Sequence, residues 1–224
     1  MKTSFSDGRL VQNSILAARV ALATSGAALI LLAALHVLSP EFDASVRVVS
    51  EYALGRYGWV LSLMFLTWGL SSWARAVALR PALTTIGGRA GLVFLILAGL
   101  GEALASLFDL KHAEMHGLAG ALGVLGLPIA ATLISVGLGH TQVWRSHRKT
   151  LLWLATLTWM SLLSLVAAML TLTRKTGPRL AIGWPNRILV VVYSVWVMSV
   201  AWQAIKLGKT ARSLENGRDS SVHK

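Results

Sequence analysis

AGLVFLILAGLGEALASLF, residues 90–108, is nineteen residues long with one ionisable side chain, Glu102. A helix of that length rises about 28 Å, close to the hydrocarbon thickness of a bilayer, which takes about 20 residues to cross. The run ends at a short polar segment, Asp109-Leu-Lys-His-Ala-Glu-Met-His116, and a second apolar run starts at Gly117. An apolar span, a charged corner and another apolar span make a membrane hairpin.

The same reading extends in both directions. Val20–Leu38, Trp59–Leu79, Gly117–Gly139, Leu151–Leu172 and Ile188–Ile205 are further apolar runs of spanning length. The expected fold is all-α: an integral membrane bundle of six transmembrane helices over 20–207. It is flanked by an arm, 1–19, and a disordered basic tail, 208–224. The chain is 55% hydrophobic and 13% charged over 224 residues, with mean hydropathy +0.64. Soluble domains carry about 25% charge. The net charge of +12 does not point to nucleic acid, because Lys and Arg lie at the ends of apolar runs. With no cysteine, disulfides and thiolate sites are excluded.

Fourteen of the 21 Lys and Arg residues fall in the arm, the second and fourth connections and the tail. Positive residues stay on the cytoplasmic side, so both termini are expected there, in a bacterial inner membrane. The fifth connection, with Arg174, Lys175, Arg179 and Arg187, is unusually basic for an outer loop. Arg75, near the cytoplasmic end of the second span, is expected to snorkel. Gly117, Gly120, Gly123 and Gly126 give the fourth span a small-residue surface for close helix packing.

Ionisable residues near hydrocarbon are costly and tend to be functional. His112 and His116, one helical turn apart, can bind one metal, with Asp109 adding an oxygen. Asp109 can equally cap a helix. Glu51, in Ser50-Glu51-Tyr52, suits a general base or a helix-start cap. Glu102 suits a proton relay or a hydrogen-bonding strut between helices. His36 is an open case. Asn186 and Arg187 open the sixth span, where Arg187 can pair with Glu51 or Asp109, or hold an anionic headgroup.

Leu35-His36-Val37-Leu38-Ser39-Pro40-Glu41-Phe42 and Ser50-Glu51-Tyr52-Ala53-Leu54-Gly55, with Phe108-Asp109, His116-Gly117 and Gly183 to Arg187, resemble the domain of unknown function 998 family of prokaryotic membrane proteins. The resemblance runs from about Leu35 to Trp202. It implies a six-helix membrane bundle in which Ser50, Glu51, Asp109 and His116 belong together.

Two functions follow as expectations. The first is a metal-dependent hydrolase at the outer leaflet acting on a lipid-like substrate. Zinc would sit on His116, Asp109 and His112, with Ser50 and Glu51 catalytic and Asn186 and Arg187 binding substrate. The second is a non-enzymatic transporter, proton-linked sensor or membrane assembly partner, with Glu102 relaying protons. Membrane lipids are the partners expected in either case.

Overall fold

The computed structural model describes residues 3–172 and 181–222, and side chains from 9 to 214 within those bounds. Arg174, Lys175 and Arg179 of the fifth connection lie outside the described residues. The fold is six long helices: α1 Thr3–Leu38, α2 Gly58–Leu79, α3 Ile86–Leu107, α4 Ala113–Gly139, α5 Arg148–Leu172 and α6 Gly183–Val222. No strand occurs among the described residues. All six are long and apolar enough to cross a membrane. Only helices and closed barrels satisfy their backbone groups in lipid, so this is a multi-pass membrane protein.

Each helix packs on its neighbours in the chain, and α6 closes the ring against α1, with further contacts to α2 and α4. Successive helices alternate in direction, so both termini share one end with the α2–α3 and α4–α5 connections. The other three connections share the opposite end. Trp196, Tyr193, Met64, Leu95, Leu127 and Ile134 fill the middle of the ring. Without a hydrophobic drive between helices in lipid, close packing and hydrogen bonds must hold them. The closest approach is α3 on α4. A Cβ at Gly101 would run into the Ala119 carbonyl and the Gly123 amide, and one at Gly91 would lie 3.0 Å from Ile134 N. Gly123 and Gly126 also face α3. Gly117 and Gly120 have nothing within 4 Å, so the small-residue surface of α4 is packed only along its inner half.

At the bundle's ends α1 is helical from Thr3 and buries Ile15 and Ala18, and α6 runs on to Val222. Its residues extend an already nucleated helix without a proline, which avoids the nucleation cost; Gly208 lies directly on Ile15. Arg75 does not snorkel. It is 0% exposed, with its guanidinium carbon 5.2 Å from the Trp196 ring centroid. Closure of the ring by α6 covers the path its side chain would take to water.

The Gly101 contact gives a direct test. Gly101→Ala is expected to lower stability by about 1–3 kcal/mol through overpacking, while Gly117→Ala stays within about 0.5 kcal/mol of wild type. Thermal unfolding of the two variants in one detergent measures the difference.

Candidate functional site

At the end opposite the termini, the chain from Ser39 to Tyr57 is folded back on the bundle through a 3-10 turn, Val49–Leu54. Arg187, one turn into α6 and 4% exposed, holds it there. Its Nε donates to His36 Nε2 at 2.7 Å, Nη1 to the Arg47 and Gly183 carbonyls at 2.6 and 3.1 Å, and Nη2 to the Tyr52 hydroxyl at 3.0 Å. Four of the five guanidinium donors are thereby engaged. Since a carbonyl can only accept, His36 Nδ1 donates to Leu32 O at 2.7 Å and its Nε2 receives the Arg187 bond. Asn186 adds a second tie, its Oδ1 accepting from Val49 N at 2.7 Å. Gly183 makes the approach possible: its N–H donates to Ser45 O at 2.9 Å, and a Cβ would collide with the Ala44 carbonyl.

This docking decides what the conspicuous carboxylates do. Glu51 Oε2 accepts from Val48 N and Oε1 from Arg47 Nη1, both at 3.0 Å, so Glu51 closes its own turn. Asp109 accepts from Lys111 N at 3.0 Å and faces His112 Nδ1 at 3.2 Å. Neither carboxylate pairs with Arg187. Partial desolvation pushes the Asp109 carboxyl upward, but the Lys111 amide, the His112 ring and the Lys111 charge outweigh it and hold it below 3.8. His116 turns away from this pair. Its Nδ1 donates to Phe108 O at 2.8 Å, satisfying a carbonyl left over at the end of α3. That bond leaves Nε2 as the basic nitrogen of the neutral ring.

His116 instead lines a cavity of about 110 Å³ inside the bundle with Ser50, Glu102 and Asn186. Trp68, Phe65, Val124 and Leu189 supply apolar wall. Glu102 is 3% exposed; its Oε2 accepts from Ser72 on α2 at 2.9 Å, while Oε1 meets no donor among the described residues. The Cβ of a helical residue leans toward its own N-terminus, which tilts Glu102 from α3 toward Ser72. The cavity has one carboxyl, one imidazole, a hydroxyl, an amide and the indole of Trp68, whose Nε1–H meets no acceptor among the described residues, and no Lys or Arg.

A family model described as protein of unknown function (DUF998) matches residues 21–203. The chain belongs to this family. No curated protein and no solved structure matches it. Of the four residues that the DUF998 resemblance groups together, two line the cavity, Ser50 and His116. Glu51 and Asp109 instead close the turns on which those two are carried. Ser72, Trp68 and Tyr52 were not singled out from sequence as site residues; Ser72, in the Ser71-Ser72 pair of an apolar span, had the only clear signal. Among the described residues of this DUF998 protein, no three His, Cys, Asp or Glu side chains gather to hold a metal. The zinc donor set of His116, Asp109 and His112 is divided, because Asp109 and His112 face each other while His116 faces Phe108 and the cavity.

Two outcomes test this geometry. Arg187→Lys keeps the charge but cannot span His36, Tyr52 and two carbonyls, so it is expected to cost at least about 2 kcal/mol in thermal unfolding. Asp109 has a depressed folded-state pKa, so the turn it caps holds at ordinary carboxylate titration and loosens only as pH falls through the lower folded value. Hydrogen exchange at the Lys111 amide should therefore remain slow at pH 5, and in Asp109→Asn it should lose this acid dependence.

Proposed function

We propose that this protein is a proton-linked transporter of a small cation, with the 110 Å³ cavity as its binding site. One observation carries the reading: a membrane-embedded carboxyl, Glu102, and the basic nitrogen of His116 border the same cavity, which holds no positive side chain. Such a cavity suits a proton, a small cation or a hydroxyl-bearing group, and repels none of them. It is well below the roughly 300–1,000 Å³ of sites that enclose drug-sized ligands, so a whole lipid headgroup is a poor fit. Arg187, the expected anion holder, is outside it and engaged by protein acceptors.

In this reading Glu102 alternates between proton and cation, with Ser72 steadying one oxygen while the other changes partner. His116 passes protons between Glu102 and the aqueous end, its ring fixed by Phe108 O. This reading rests on Glu102 and His116 alone, with His112 Nδ1 against Asp109 at 3.2 Å and His116 Nδ1 on Phe108 O. The test uses proteoliposomes with a preformed proton gradient, challenged in turn with sodium, potassium, ammonium, methylammonium and choline. At least one should collapse the gradient with wild-type protein, and Glu102→Gln should reduce that rate at least about tenfold. Rates equal to protein-free vesicles for all five would sink the transport reading.

A hydrolase remains the second reading, because Ser50 borders the cavity that His116 borders. His116 Nε2 would act as base toward the Ser50 hydroxyl. Here a fluorophosphonate probe should label wild type at Ser50 and leave His116→Ala unlabelled. Absence of a Ser50 adduct removes this reading.

A further inference from the structure

At the end that carries both termini, a groove of about 980 Å³ lies open between α2 and α3. Its walls follow from helical spacing. Trp73, Val77 and Arg80 stand at i, i+4 and i+7 on α2, and Arg89, Val93 and Ile96 repeat that spacing on α3. The helices are antiparallel, so both guanidinium residues fall at the same mouth and the apolar pairs Trp73/Val77 and Val93/Ile96 run from there into the membrane. Val77 and Val93 are 59% and 56% exposed, and Trp73 closes the inner end by donating Nε1–H to Ile96 O at 3.1 Å. From Arg80 back to Trp73 the groove is about 10 Å long, roughly two-thirds of one leaflet's share of a 30 Å hydrocarbon core.

The mouth has a single sign of charge. The sequence has no Asp or Glu between Glu51 and Glu102, and none from residue 140 to 149 in the neighbouring connection. Among the described residues, neither Arg80 nor Arg89 meets a carboxylate. Thr84 adds a hydroxyl beside them. A groove that is apolar along its length, cationic at its mouth and open to the lipid has the shape and polarity of an amphiphile with an anionic head.

We propose that this groove is a binding site for an anionic diacyl phospholipid of that leaflet. The phosphate lies between Arg80 and Arg89 within reach of Thr84, and an acyl chain runs along Val77 and Val93 toward Trp73. Arginine at such a site offers planar, paired donors to phosphate oxygens. The site is independent of the cavity at the opposite end and shares no residue with it.

The test is thermal unfolding of the full chain, purified in a neutral detergent. The added probe is dioleoylphosphatidylglycerol, dioleoylphosphatidylcholine or inorganic phosphate. A ligand of the folded state raises Tm by mass action, and phosphatidylglycerol is expected to raise it by about 2–4 °C. Phosphatidylcholine and phosphate alone should each give less than half of that. The double variant Arg80→Gln/Arg89→Gln should lose the phosphatidylglycerol shift, as should Val93→Trp, which fills the groove and leaves the charges in place. Arg145→Gln/Arg148→Gln, with two bases removed from the other connection at the same end, should keep it. An undiminished shift in both the Arg80/Arg89 and Val93 variants overturns the proposal. So does a full shift with phosphate alone, which would mean a headgroup site without the groove.

Discussion

Irregular backbone in a membrane bundle must be satisfied and held by protein groups, and in this chain one guanidinium ties the irregular segment between α1 and α2 to the start of α6. Arg187 binds the imidazole of α1, the carbonyl of Arg47 and the phenol of Tyr52 at once, and its ring contact with Tyr52 adds to the packing. The segment between α1 and α2 is therefore fastened across the start of α6. Everything at the candidate site follows from that position. Ser50 reaches the cavity because its turn is held down, and Asn186 both holds Val49 and borders the same space. A charge placed for recognition would need open donors; this one acts as a bolt.

The interior polar groups form a graded series below that bolt. His116 and Ser50 border the cavity, Glu102 reaches across from α3, and Ser72 ties Glu102 to α2. Deeper still, Arg75 is stacked on Trp196, which donates to Ser135 on α4 at 3.3 Å. Arg75 and Glu102 both sit on facing helices, yet Arg75 Nε and Nη1 and Glu102 Oε1 meet no partner among the described residues. Leaving buried polar atoms without a hydrogen bond costs free energy, so packing alone does not account for these two side chains.

The six spans were legible because eighteen or more largely apolar residues have few other readings, and their number and order hold. The site was legible only in part. Asp109, His112 and Glu51 drew attention through their charge, but charge does not reveal that a neighbouring amide will take the carboxylate first. Short-range capping bonds form between residues two or three apart, whereas a shared site needs the whole ring to close. Arg75 failed for the same reason in reverse: its place near a span end suggested water, and only α6, more than a hundred residues later, covers it. His116 and Ser50 were recoverable because they come from segments that the family resemblance groups. Glu102 was visible as an acid in a span, but its sharing of a cavity with His116 depends on how closely Gly101 lets α3 approach α4.

Glu51 and Glu102 differ in how far their carboxyl oxygens are committed. Glu51 has both oxygens engaged, one by an amide and one by a guanidinium, so any exchange of proton or ion on it would first release its turn. Glu102 has one oxygen steadied by Ser72 and the other without a hydrogen-bond partner among the described residues. A carboxyl can change its partner without disturbing the fold only if one oxygen is uncommitted while the other keeps its geometry. Glu102 meets that condition and Glu51 does not. Glu102 thus has the less committed carboxyl of the two, and it is the one on which the proposed transport reading rests.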